Sequence, residues 1–250
     1  MIGGRSAAPV RGSVRWVLGV LILWQVLEIL GRSGPTSTGG WPVGPFELLH
    51  LLLVLPLFTL AFARLFLAVT QSSYGSLNTY TLTASPLAWI FWAGSGLALA
   101  GQGVYATAHL LSDAVPEVVS MGEYGEMVRF FDTSLGFWMF GVGFTTMSLV
   151  ILVLGQGSTQ RVVGPERTLL IIGSLLTYGS GILFFGVEER HLVPAIICAA
   201  LLVAPGLRYF SLREVGYDPV SLLVIPGAAT GGLILFAWAL LVGGQPSWPW

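Results

Sequence analysis

The chain has 250 residues, of which 54% are hydrophobic and only 9% charged, with a formal net charge of −1. A soluble domain carries about a quarter charged residues, so this chain cannot cover a water-facing surface, and its mean hydropathy of +0.81 places most of it in lipid. Near-neutral charge without a basic patch argues against a nucleic-acid partner. All eleven cationic residues are arginine, which excludes Schiff-base chemistry on lysine and, with it, a retinal linkage.

Taken in chain order, the apolar runs predict seven transmembrane helices, each near the roughly 20 residues that cross a bilayer. The first is Val14–Leu30, with Arg5, Arg11 and Arg15 at its start. It resembles a signal peptide, but it contains Gln25 and Glu28 and no small-x-small cleavage site follows, so a retained helix is expected. Pro45–Val69 and Pro86–Leu111 come next, then Met127–Leu154, Thr168–Val187, Leu192–Tyr209 and Pro219–Val242. Pro45, Pro86 and Pro219 suit a first helical turn, and Ser85 and Asp218 are N-cap residues. Pro56, Pro194, Pro205 and Pro226 lie inside spans, where neighbouring helices can re-satisfy the freed backbone groups. Gly94, Gly96, Gly101 and Gly103, and the GxxxG pair Gly227 and Gly231, predict close helix packing. The single Cys198 permits no internal disulfide.

The fold class is therefore all-α: one polytopic membrane bundle over residues 1–250, with no connection long enough for a soluble domain. Arginine placement sets the expected orientation. With the N-terminus inside and the C-terminus outside, Arg5, Arg11, Arg15, Arg64, Arg161, Arg167, Arg208 and Arg213 fall inside and Arg32, Arg129 and Arg190 outside. That bias fits the positive-inside rule and a multi-pass protein of the cell (plasma) membrane. The segment Ser112–Glu126, acidic through Glu117, Glu123 and Glu126, is expected as an amphipathic helix on the outer surface.

This topology gathers most acids, and all three histidines, at the outer rim. At 1.5 Å per residue, His50 and Asp132 lie roughly 7 Å inside their spans, and His109 about a turn from the end of its own. Polar groups at that depth are costly unless they face a partner or water. They are expected to point inward and meet. Glu47 and His50 share a helix side at i,i+3, and His109 and Asp113 at i,i+4; Tyr105 and Gln102 extend the second stripe inward. Glu-x-x-His is a ligand spacing of helical metal sites, which normally supply two such motifs; here there is one.

Three histidines with carboxylates suit zinc or iron. The expected site has His50, His109 and Asp113 as metal ligands, Asp132 and Glu47 as catalytic carboxylates, and Tyr105, Gln102 and Arg129 lining a substrate pocket. A metal-bound water there would attack an ester or amide of a lipid-like substrate. Haem between His50 and His109, with Arg129 on a propionate, is an alternative cofactor. Each element also has a plainer reading: interfacial or helix-end pairs for Glu47 with His50 and His109 with Asp113, a salt bridge for Arg129 with Asp132, and a solvated turn for Glu188, Glu189, Arg190 and His191. Three function classes stay open: a metal-dependent hydrolase of lipid-like molecules, a non-catalytic subunit of a membrane complex, and a transporter or receptor with an outward-facing pocket. A carrier would need ionisable groups near the midplane, and the spans offer almost none beyond Arg64.

Overall fold

In a computed structural model of the chain, residues 8–33, 49–75, 77, 80–114, 122–156, 160–187, 191–209 and 218–242 are described. They form an all-helical membrane bundle. Six helices are long and apolar enough to span a bilayer, and a seventh carries the shorter apolar run Leu192–Leu207.

Helix α1 is Ala8–Ser33. The π-helical turn His50–Val54 leads into Leu55–Tyr74, together called α2. A second π-turn, Tyr80–Ala84, precedes α3, Pro86–Ala114. Glu123–Phe130, the π-turn Phe131–Leu135 and Gly136–Gly155 run on as α4. Pro165–Ser174, the π-turn Leu175–Gly179 and Ser180–Val187 make α5. Leu192–Tyr209 is α6 and Pro219–Val242 is α7.

Cross-links show that successive helices run in opposite directions. At the near end, which holds the start of α1, Arg15 of α1 pairs with Glu166 of α5 at 2.8 Å and Arg11 donates to the Arg161 carbonyl. Ser73 of α2 donates there to the Leu154 carbonyl of α4. At the far end His191, before α6, meets the Thr133 carbonyl of α4 at 3.1 Å.

The expected helix starts appear where local chemistry provides them. The Ser85 hydroxyl accepts from the Ala88 N–H at 3.2 Å, and the Asp218 carboxylate from the Ser221 N–H at 2.7 Å. Several boundaries differ from expectation, α1 starting at Ala8 rather than Val14 among them. Helix α2 continues five residues past Val69 to Tyr74, and Gly75 ends it in a left-handed conformation (φ 77°) with its N–H on the Gln71 carbonyl. Glu123–Phe130 does not lie apart on the surface; it is the opening of α4, joined through the π-turn.

Glycine decides which helices touch backbone to backbone. A Cβ on Gly143 would lie 2.4 Å from the Ala98 nitrogen, and one on Gly101 2.4 Å from the Phe140 nitrogen, so α3 and α4 cross with their main chains in contact. Gly96 and Gly103, on another side of α3, are exposed and meet nothing within 4 Å. Gly227 and Gly231 of α7 face α5, where a Cβ on Gly227 would collide with the Ser174 carbonyl at 2.1 Å. Pro226 lies inside α7, and the N–H of Gly227 beside it is taken by the Ser174 hydroxyl at 2.8 Å. A neighbouring helix thus supplies the partner that a proline-broken ladder needs in lipid.

Candidate functional site

The other face of α4 builds the site. Phe137, Phe140 and Phe144 are spaced i, i+3, i+7 and project from one side of the helix, a stripe adjacent to the glycines that meet α3. Their rings hold α4 off its neighbours and leave a cavity of about 130 Å³ bounded by α1, α3, α4, α5 and α6. Trp24 of α1 packs on Phe140 at 5.1 Å between ring centroids, Tyr105 of α3 on Phe137 at 4.7 Å, and Tyr178 of α5 on Phe144 at 5.0 Å. Gly181 lines the space without filling it; a Cβ there meets nothing within 4 Å.

The π-turn in α5 shapes the floor. Its consecutive residues Thr177, Tyr178 and Gly179 are all buried, the first two against the cavity and Gly179 against Gly227 of α7. Tyr178 is 2% exposed and its hydroxyl shares a hydrogen bond with Ser148 at 2.9 Å. Thr177 donates to the Gly173 carbonyl at 2.7 Å, and the Cys198 thiol of α6 is hydrogen-bonded to Thr145. Two polar groups differ from these. Gln25 of α1 and Gln102 of α3 both line the cavity, Gln102 being 6% exposed, and neither amide has a hydrogen-bond partner among the described residues.

Of the residues expected to form the site, Gln102 and Tyr105 line this cavity. His109 is half-buried one turn beyond, its ring stacked on Tyr105 at 5.6 Å and 16°. Arg129 is not in the lining; it is exposed, with its Nε 3.4 Å from the Gly125 carbonyl. Glu47 lies outside the described residues, as do the side chains of His50, Asp113 and Asp132, although the backbone places His50 at the head of the first π-turn and Asp132 within the third. Among the described residues no group of three or more His, Cys, Asp and Glu comes together as a metal site.

His191 belongs to a more ordered setting than a solvated turn. Its ring packs edge-on against Trp138 at 5.6 Å and beside Phe185 at 5.3 Å. Partial burial holds its pKa below the usual histidine value, against the raising effect of the Thr133 carbonyl. Glu188, Glu189 and Arg190 lie outside the described residues.

Sequence reasoning missed the aromatic wall, Gln25 as a lining residue, and Cys198. The phenylalanine spacing on α4 was the available signal; nothing local says that α1 and α6 close the other sides. The fold and cavity define a helical integral membrane protein with a partly open, aromatic-walled space between its helices. Comparison with known proteins gives no matching family model, no matching curated protein and no matching solved structure.

Proposed function

We propose that this protein binds a small amphiphilic, lipid-like molecule within the bilayer, held by the aromatic wall and oriented by the amides of Gln25 and Gln102. One observation carries the reading: two glutamine side chains open onto an apolar intramembrane cavity without a hydrogen-bond partner among the described residues. Both amides open onto the cavity rather than being sealed in the packing, so a ligand head group, or water standing in for it, is the partner they can reach.

Size narrows the chemistry. A dry apolar cavity of about 150 Å³ takes benzene, and this one is about 130 Å³. It fits a single ring or a short chain end bearing one hydroxyl or carbonyl, not a whole phospholipid. A longer molecule would insert only its head and first ring, with the remainder between helices. The hydrolase chemistry expected from sequence rests mainly on Glu47, His50, Asp113 and Asp132, whose side chains lie outside the described residues. Binding stands on described groups alone, and the His109 ring against Tyr105 is what supports a link between cavity and rim.

The test uses purified protein titrated with p-cresol and with toluene, which differ by one hydroxyl, followed by Trp24 emission and thermal unfolding. A preference for p-cresol that disappears in Gln102→Leu supports the reading. Equal, weak responses to both probes that are also unchanged in Gly181→Leu, where the new side chain fills the cavity, refute it.

A further inference from the structure

Arg64 stands apart from every other described charge. Among the described residues the apolar window of α2 is Leu52–Tyr74, and Arg64 lies well inside it, ten residues before its end. The extension of α2 to Tyr74 puts it there; the shorter span read from sequence placed it near the inner end. The side chain is exposed on the outside of the bundle, between Leu60 at 61% exposure, one turn away, and the exposed Gln71. It does not line the cavity, and among the described residues it has no hydrogen bond or ion pair.

An arginine keeps its charge in proteins, and one facing hydrocarbon at mid-depth is costly, so such residues pair or line water. Three occupants could meet it. Headgroup phosphate is distant: Gln71, the first exposed polar residue toward the near end, is seven residues and roughly 10 Å along the axis, and Cα–Cβ bonds tilt toward the helix N-terminus, away from that end. A second copy brings no carboxylate to this level. Of the acids with described side chains, Glu123 and Glu126 sit at the start of α4, Glu166 at the start of α5 and Asp218 before α7; Glu28 and Asp132 lie inside α1 and α4 but toward the far end, and the other acids fall at span ends or in connections by sequence. A two-fold pairing on this face would set Arg64 against Arg64. That leaves another protein.

We infer that the exposed face of α2 around Arg64 docks a transmembrane helix of a different protein, one that carries a carboxylate near the middle of its span. The apolar neighbours Leu53 and Leu60 pack against that helix, and the carboxylate forms the charge-assisted hydrogen bonds that Arg64 lacks. The chain then acts as a subunit of a membrane complex as well as a binding protein, and neither role depends on the other.

The test reconstitutes the full chain in phosphatidylcholine nanodiscs and titrates it with a fluorescent single-span peptide of leucine and alanine carrying one central Glu, followed by anisotropy. A peptide with Leu at that position is the control. The Glu peptide is expected to bind the unmodified chain better than Arg64→Leu by at least roughly threefold, the lower range for intramembrane polar contacts, with Arg64→Lys between them and the Leu peptide weak throughout. Equal binding of the two peptides, or an unchanged affinity in Arg64→Leu, overturns the inference. So does self-association through Arg64 without peptide, which makes a second copy the occupant. Thermal stabilisation by phosphatidylglycerol that Arg64→Leu removes, with no peptide discrimination, assigns the face to lipid and overturns it as well.

Discussion

The two faces of α4 meet their neighbours in opposite ways. On one, Gly136 and Gly143 let α3 approach until the main chains touch. On the other, Phe137, Phe140 and Phe144 hold α1 and α5 away and leave a cavity. In water both faces would be driven together by the same hydrophobic effect. In lipid that drive between helices is lost, because acyl chains are as apolar as leucine, and packing shape decides. Glycines on one stripe of a helix and rings on the neighbouring stripe therefore specify a rigid seam and an open site at once.

The largest expected effect breaks the seam. Gly143→Val puts side-chain atoms where the Ala98 nitrogen and the Gly94 carbonyl already are, with no flexible group to give way, and should destabilise by about 3 kcal/mol, the upper end for overpacking. Unfolding in mixed micelles measures it. Gly96→Leu on the open side of α3 should stay within about 0.5 kcal/mol; equal effects would end the contrast between seam and surface.

Second is the near end, through Asp218. Its carboxyl is buried, and desolvation pushes its pKa up from 3.8 to about 6 against the lowering hydrogen bonds from Ser221 and Val220. Well below pH 3.8 both folded and unfolded chains hold the proton. As pH rises toward 6 the unfolded chain releases it first, so stability falls across that interval and is flat above it, by roughly 2–3 kcal/mol. Asp218→Asn keeps a good N-cap and should remove the slope. A stability that climbs between pH 4 and 6 in the unmodified chain would contradict the buried placement.

The α5–α7 contact offers a smaller effect. Ser174→Ala deprives the Gly227 N–H, beside Pro226, of its partner and should cost about 1–2 kcal/mol. A silent substitution would mean that water or a shifted carbonyl takes the bond. On the cavity side Gly181→Leu should weaken p-cresol binding at least about tenfold, or 1.4 kcal/mol, while leaving thermal stability unchanged or raised. Lost binding accompanied by lost folding would show the open face to be as rigid as the seam.

Much of this was legible in the chain. Charge poverty and the apolar runs gave an all-helical membrane bundle, and Ser85, Asp218, Pro86 and Pro219 marked helix starts because caps and first-turn prolines act within three residues. The site was less so. Gln102 and Tyr105 were singled out from helical spacing, but as part of a rim with Glu47, His50, Asp113 and Asp132, and depth along a helix does not say where a side chain points. The π-turns, which re-aim the residues after them, carry no local signature that would have fixed those directions.

The sequence by itself determined what is periodic or local: seven apolar helices, most of their starts, and the glycines that allow close approach. Only the tertiary structure decided that Gly101 packs on Gly136 and Gly143 on Gly94 while Gly96 faces outward, that Trp24 and Gln25 of α1 close a cavity walled by α4 and α5, and that Arg64 is left within the span on the outside. The physical reason is that lipid rewards any burial of apolar residues nearly equally. Which faces meet is then fixed by shape and by the few polar groups needing partners, and both arise only between helices distant in sequence.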